Sequence, residues 1–354
     1  MTEPQSPNQQ QQKHWSLMAE RGSYWGIWFL LKTNQLFGRW LFRLVIWPVV
    51  AYFFVSGKTA RRASMDYLNR VHQFSGGSVL AEKPGYWQSL KHFISFAESA
   101  MDKIDGWSGK HQKQDLSFGN RHLFTDLNAK KQGAVFIGAH LGNLELCRAL
   151  NKDNNNRVNV MVFTHHAEAF NRILKRIDPD MDLNLIQVTE VSADLAIILK
   201  QRIDDGEHIV IAADRTSTSS FGRVTQVSFL GKPASISQGP FILAALMDCP
   251  VYMMFCMKES QGFKVIFDEF EHPFKGPRKQ RQQMLLQNIG CYVKQLEHYC
   301  LKYPYQWFNF FDFWLDDEQV KRSQAKPGET KPGETKPGET KPGETKPNES
   351  QAKP

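Results

Sequence analysis

Two side chains, His140 and Glu145, stand five residues apart in the segment GAVFIGAHLGNLELCRAL, a spacing that could bring an imidazole against a carboxylate. A carboxylate bonded to one ring nitrogen fixes the tautomer and stabilises the imidazolium. The other nitrogen is then free to take a proton. Such a pair can activate a hydroxyl or a water against a substrate that is already reactive, such as a thioester, with no protein nucleophile. Between the two lie Gly142, which permits a tight turn or close substrate approach, and Asn143, which can cap a following helix. The spacing alone is common. Its weight comes from the elements that must hold it.

GAVFIGA is a short apolar run with glycine near both ends and reads as a buried strand ending at His140. LELCRAL reads as the helix that follows. The pattern then repeats: VNVMVFTH, LNLIQV and HIVIAAD as strands, AEAFNRILKRI and SADLAIILKQRI as helices. TQVSFLG reads as extended and QGPFILAALM as helical. VYMMFCMKE and FKVIFDEFE read as two further strands, joined through Glu259–Gly262, and Gln280–Leu301 as a long amphipathic helix. Alternating strands and helices predict an α/β fold with a mainly parallel central sheet flanked by helices. In such sheets sites gather at the carboxyl ends of the strands, where His140 and the pair Asp214-Arg215 both fall.

The flanks differ in kind. Residues 1–14 are polar and Gln-rich, read as disordered, and lack the basic-then-apolar pattern of a signal peptide. Residues 15–110 read as a helical, membrane-associating region. The uninterrupted apolar run Leu44–Val55 has 12 residues, short of the roughly 20 of a bilayer span, and extending it back takes in Arg39 and Arg43. This favours an interfacial or shallowly inserted helix over a full span, with Lys58, Arg61 and Arg62 marking a cytoplasmic flank. The catalytic unit is expected over 111–317, with Asp115–Lys131 as a polar connector. The tail, 318–354, repeats KPGET and reads as disordered and solvated.

Composition narrows the class. The net charge is +8, and aromatic content is 12 %, with 25 Phe and 9 Trp. A diffuse basic body suits phospholipid headgroups, a phosphorylated lipid or an acidic carrier protein; a nucleic-acid partner would call for a dense basic face or a named motif, and neither is present. The five cysteines are odd in number and lack C-x-x-C spacing, so they read as reduced, buried thiols. No metal-ligand spacing, no P-loop and no G-x-S-x-G elbow occurs. His165-His166 could line a cleft, and the aromatic run Tyr305–Trp314 reads as core or as a contact for bilayer or acyl chain.

The segment HLGNLE resembles the H-x-x-x-x-[D/E] signature of the glycerolipid acyltransferase superfamily. The longer stretch is similar to the lipid A biosynthesis (lauroyl/myristoyl) acyltransferase family within it. IAADRTSTSSFGRVTQVSFLGKPASISQGPFILAALM matches the family's second block, with Asp214-Arg215, Phe229-Leu230-Gly231 and Gly239-Pro240 in the expected places. Thr216 stands where the family often has an acidic residue, and Gln238 where it often has a small residue or proline. The likeness runs from about Trp25 to Trp314.

The resemblance implies a membrane-associated O-acyltransferase. The donor would be acyl carrier protein or acyl-CoA as co-substrate, with no other cofactor and no metal, and the acceptor a hydroxyl of a lipid A-like or other glycolipid. It implies His140 as general base and Glu145 as its orienting partner, with Asn143, Arg172, Asp214, Arg215 and Gly231 as substrate contacts. It also implies a place at the bacterial inner membrane, with the catalytic unit on the cytoplasmic side. A thioester or lipid hydrolase using the same pair on water, and a non-catalytic acyl-carrier-binding membrane protein, stay open at this level.

Overall fold

The computed structural model describes residues 44, 46–107, 116–144, 146, 157–162, 183–187, 193–215 and 223–314. The polar N-terminal segment, the KPGET tail, the helix expected over AEAFNRILKRI and the His165-His166 pair lie outside the described residues.

Seven strands form the central sheet: β1 (Leu116–Gly119), β2 (Ala134–Gly138), β3 (Val158–Val162), β4 (Leu183–Gln187), β5 (His208–Ala212), β8 (Val251–Glu259) and β9 (Gly262–Glu269). Their order is β1-β9-β8-β2-β5-β3-β4. Every neighbouring pair is parallel except the hairpin β8–β9. The fold is therefore α/β with a mostly parallel sheet. β2 occupies a middle position, and each of its five residues is buried. A strand covered on both faces needs a continuous apolar run rather than alternation, which is what AVFIG supplies. Each large side chain buried there, such as Phe136 or Ile137, contributes roughly 1.5–3 kcal/mol.

Two further strands, β6 (Val224–Phe229) and β7 (Lys232–Ser237), pair antiparallel as a separate hairpin. Only the first was expected as extended; KPASIS carries Pro233, which a two-stranded ribbon tolerates and a central strand does not. The connector expected over Asp115–Lys131 is not irregular either. It contains β1 and a nine-residue helix, α4 (Arg121–Ala129). LSFG is too short to signal a strand by itself and is defined by its parallel pairing with β9. Only Phe124 and Leu127 of α4 are buried, so its apolar stripe is narrow. Asn120, in a left-handed conformation at the start of this helix, donates its side-chain amide to the Phe267 carbonyl at 2.9 Å.

The helices before the sheet are α1 (residues 46–56), α2 (Lys58–Phe74) and α3 (Tyr86–Trp107). Those after or between strands are α5 (Ala193–Asp204), α6 (Gly239–Met247) and α7 (Arg281–Lys302). Pro240 sits in the first turn of α6, where its missing N–H costs nothing. The face of α7 built from Ile289, Tyr292, Val293 and Leu296 is buried in the main core together with β2, β5 and β8 residues. Ile46, Val50 and Phe54 of α1 pack in a smaller cluster with Phe93 and Ala97 of α3. The other side of α1 shows Trp47, Tyr52 and Val55, which are 53 %, 65 % and 72 % exposed. Among the described residues, no helix is long and apolar enough to cross a membrane.

Candidate active site

Parallel register decides where the chemistry can sit. β2 and β5 pair so that Gly138 stands opposite Ala212. The chain continues two residues from each strand end to His140 and Asp214, and the ladder is extended by the Ala213 N–H donating to the Gly138 carbonyl at 2.9 Å. The Tyr292 hydroxyl donates to that same carbonyl, also at 2.9 Å. The imidazole and carboxylate thus leave adjacent strands at one level.

They meet directly. His140 Nδ1 lies 2.7 Å from Asp214 Oδ1, and the His140 backbone N–H donates to Asp214 Oδ2 at 2.9 Å. The Trp307 indole N–H donates to the same Oδ2 at 2.9 Å. An ionised carboxylate can only accept, so His140 Nδ1 carries the proton and Nε2 carries the lone pair. Nε2 has no hydrogen-bond partner among the described residues. The His140 side chain is 36 % exposed, whereas that of Asp214 is 0 % exposed. This is a buried orienting carboxylate behind a ring whose outer nitrogen is open.

Electrostatics agree with that division. Burial pushes the Asp214 carboxyl up, but the His140 ring, its hydrogen bonds and the Arg215 guanidinium outweigh this, and the net shift is down. Asp214 is therefore ionised at neutral pH. Burial lowers the His140 pKa from its ordinary value, the Arg215 charge lowers it further, Asp214 pulls it up, and Lys103 adds a smaller downward push. The net direction is down, so the ring is neutral and basic at neutral pH.

The turn after His140 is clamped from both sides. Gly142 has φ +69, and a Cβ there would lie 2.0 Å from the Cys256 carbonyl oxygen. Only glycine fits so close to β8 in that conformation. The Gly142 N–H donates to the Gln306 carbonyl at 2.7 Å, the Asn143 N–H to the Cys256 carbonyl at 2.7 Å, and the Phe308 N–H to the His140 carbonyl at 2.8 Å. Residues 306–308 thereby run antiparallel to the turn, and Leu141 bridges to Trp307. Trp307, Phe308 and Phe313 are buried. The aromatic run Tyr305–Trp314 is thus a strap across the site in which Trp307, Phe308 and Phe313 are core, while Tyr305, Phe310, Phe311 and Trp314 stay partly exposed.

The other expected residues separate. Asn143 is 2 % exposed; its amide donates to the Ser99 carbonyl of α3 at 3.1 Å, and its Oδ1 makes no hydrogen bond among the described residues. It ties the turn to α3 instead of capping a helix through that oxygen. Arg215 lies beside the pair. Its Nη2 reaches the Phe308 carbonyl at 3.5 Å, its Nε has no hydrogen-bond partner among the described residues, and its guanidinium carbon lies 5.8 Å from the Phe311 ring centre. Gly231 has φ +76 and, with Leu230 at φ +49, forms the two-residue turn of the β6–β7 hairpin. No hydrogen bond or ion pair among the described residues joins Gly231 to His140, Asp214 or Arg215. Glu145, Arg172 and Cys147 lie outside the described residues.

Sequence reasoning missed Trp307 as a partner of the site. The density of aromatic residues around it was the available signal, but nothing in that run shows which indole N–H meets a carboxylate.

A strand-end histidine with a buried carboxylate behind it and an open Nε2 is the equipment of a general base. No curated protein matches the chain. The family model described as bacterial lipid A biosynthesis acyltransferase matches residues 88–315, a stretch that holds all but the first two residues of α3, the whole central sheet, the His140–Asp214 pair and the aromatic strap. The chain belongs to the bacterial lipid A biosynthesis acyltransferase family, and it is an acyltransferase.

Proposed function

We propose that this acyltransferase moves a fatty acyl group from a thioester, carried by acyl carrier protein or coenzyme A, to a hydroxyl of a lipid A-like glycolipid, with His140 as general base. The observation that carries the proposal is the 2.7 Å contact from Asp214 to His140 Nδ1, which leaves Nε2 open. The acceptor hydroxyl gives its proton to Nε2 as its oxygen bonds to the thioester carbonyl carbon. The tetrahedral intermediate then expels the thiolate, which takes the proton back from Nε2. The ester and the free thiol leave, and the imidazole returns to its starting state. Asp214 stabilises the imidazolium and stays ionised throughout. The Arg215 guanidinium offsets the negative charge that develops on the thioester oxygen. Asp214 thus takes the orienting role that spacing assigned to Glu145, and Arg172 is assigned to a phosphate or polar headgroup of the acceptor.

We further propose that the protein works at the cytoplasmic face of the bacterial inner membrane. Support comes from α1 with its exposed Trp47, Tyr52 and Val55, and from Tyr86 and Trp87 at the start of α3, which are 64 % and 79 % exposed. Arg61, in the first turn of α2, contacts the Phe54 and Tyr86 rings, which keeps a cation beside the exposed Tyr86. Aromatic and basic residues in that combination suit a headgroup layer.

The test is a purified-enzyme assay with acyl carrier protein and coenzyme A thioesters against a lipid A precursor. The proposal expects an acylated glycolipid, lost in His140→Ala. Release of free fatty acid with no acylated lipid would refute it in favour of a hydrolase.

A further inference from the structure

The carboxylate behind His140 is held by more than the histidine. Asp214 Oδ2 accepts from the His140 backbone and from Trp307 Nε1, both at 2.9 Å, which turns Oδ1 toward His140 Nδ1. The backbone bond comes from the same residue that must be oriented. Trp307 is therefore the independent fixed point.

Trp307 is fully buried. Its ring centre lies 4.9 Å from that of Tyr67, 5.3 Å from Phe229 and 4.9 Å from Phe313. Its backbone is fixed separately. The His92 Nε2–H donates to the Trp307 carbonyl at 2.9 Å. That assignment makes His92 Nδ1 an acceptor, and the Ser64 hydroxyl lies 3.0 Å from it. The Ser89 hydroxyl donates to Ser64 Oγ at 2.9 Å. Ser64, Ser89 and His92 are all 0 % exposed. The chain has one direction, Ser89 to Ser64 to His92 to the Trp307 carbonyl, and each donor in it meets an acceptor. A buried polar chain is costly when any member is left unpaired, so it holds its geometry tightly. No member can act as a nucleophile, because none reaches solvent.

We infer that Trp307 is the positioning residue of the catalytic pair, with His92 and Ser64 holding it, so that α2 and α3 set the geometry of Asp214 and His140; the inference rests on the reading of His140 as general base. Substrate has no route to these residues. Their contribution is to the angle and charge of Asp214, and it belongs in kcat and in the pH profile more than in KM. Among the described residues, the charged groups acting on His140 are Asp214, Arg215 and Lys103. Removing one donor from Asp214 makes its carboxylate more basic, which holds the imidazolium more tightly and moves the acid limb of the rate profile upward.

The experiment compares full-length Trp307→Phe, His92→Phe and His92→Gln with the unaltered protein and with His140→Gln. Trp307→Phe keeps an aromatic ring and loses the N–H. It should lose about 10- to 100-fold in kcat with KM within about twofold, and raise the acid limb by about half a pH unit. His92→Gln keeps a donor for the Trp307 carbonyl, and should hold kcat at least about tenfold above His92→Phe. A folded Trp307→Phe protein with unaltered kcat and acid limb overturns the inference. Equal kcat in the two His92 variants overturns it as well, and that comparison stands even where Trp307→Phe does not fold. An active His140→Gln protein would instead overturn the general-base reading; an inactive one beside an unimpaired Trp307→Phe would sink only the role of Trp307.

Discussion

Asp214→Asn changes one atom and should disable the site through a tautomer. The carboxylate accepts three N–H bonds: two at Oδ2, from the His140 backbone and Trp307, and one at Oδ1, from His140 Nδ1. An asparagine offers one acceptor oxygen and one NH2 donor. The better arrangement places its oxygen where two donors converge, so its NH2 faces His140 Nδ1. The imidazole must then accept at Nδ1 and carry its proton on Nε2, the atom that should receive the acceptor's proton. The negative charge that stabilised the imidazolium is also gone. The loss expected from a wrong tautomer in a His–Asp pair is about 10⁴-fold in kcat, or roughly 5 kcal/mol of barrier. Single-turnover transfer from a labelled acyl thioester, with a folding check by circular dichroism, reads it. A folded Asp214→Asn protein within tenfold of normal kcat would refute the assignment of Asp214 as the orienting group.

Other expectations follow from the same geometry. Glu145→Gln should cost less kcat than Asp214→Asn in the same assay, because Asp214 already occupies His140 Nδ1. The rate should fall on the acid side with a midpoint below about 6.5, because burial and Arg215 lower the His140 pKa and only the neutral ring accepts a proton. A midpoint above about 7 in kcat/KM would contradict this. Gly142→Ala should destabilise the fold by about 2–4 kcal/mol in denaturant titrations, since its Cβ would overlap the Cys256 carbonyl at a positive φ.

Burial lowers His92 and His208 to about 4, so each binds a proton in the unfolded chain before it does in the folded one. Stability should be level above about pH 6.5 and fall as pH drops toward 4, by up to about 3 kcal/mol for each histidine. Urea midpoints across that range measure it.

What could be read from the sequence follows from how local each signal is. AVFIG announces a buried strand within five residues, so the strand end at His140 was legible. The α/β alternation was legible for the same reason, since each strand and helix carries its own period. The contact of His140 with Asp214 was not, because Asp214 is 74 residues further on and arrives only through the β2–β5 register. Spacing and the family resemblance pointed to Glu145, which lies outside the described residues. β1 and α4 escaped notice because four residues of LSFG gain their structure from β9, and α4 buries only two side chains. Trp307 was hidden in a run where seven of the ten residues are aromatic and any of them could be core.

The central claim is that His140 Nε2 takes the proton of a glycolipid hydroxyl while a thioester waits beside it. Product analysis with the purified enzyme, an acyl thioester and a lipid A precursor tests it most directly, with His140→Gln run in parallel. The account predicts an acylated glycolipid from the unaltered protein and none above background from a folded His140→Gln protein. Acylated glycolipid at a near-normal rate from the His140→Gln protein would contradict it.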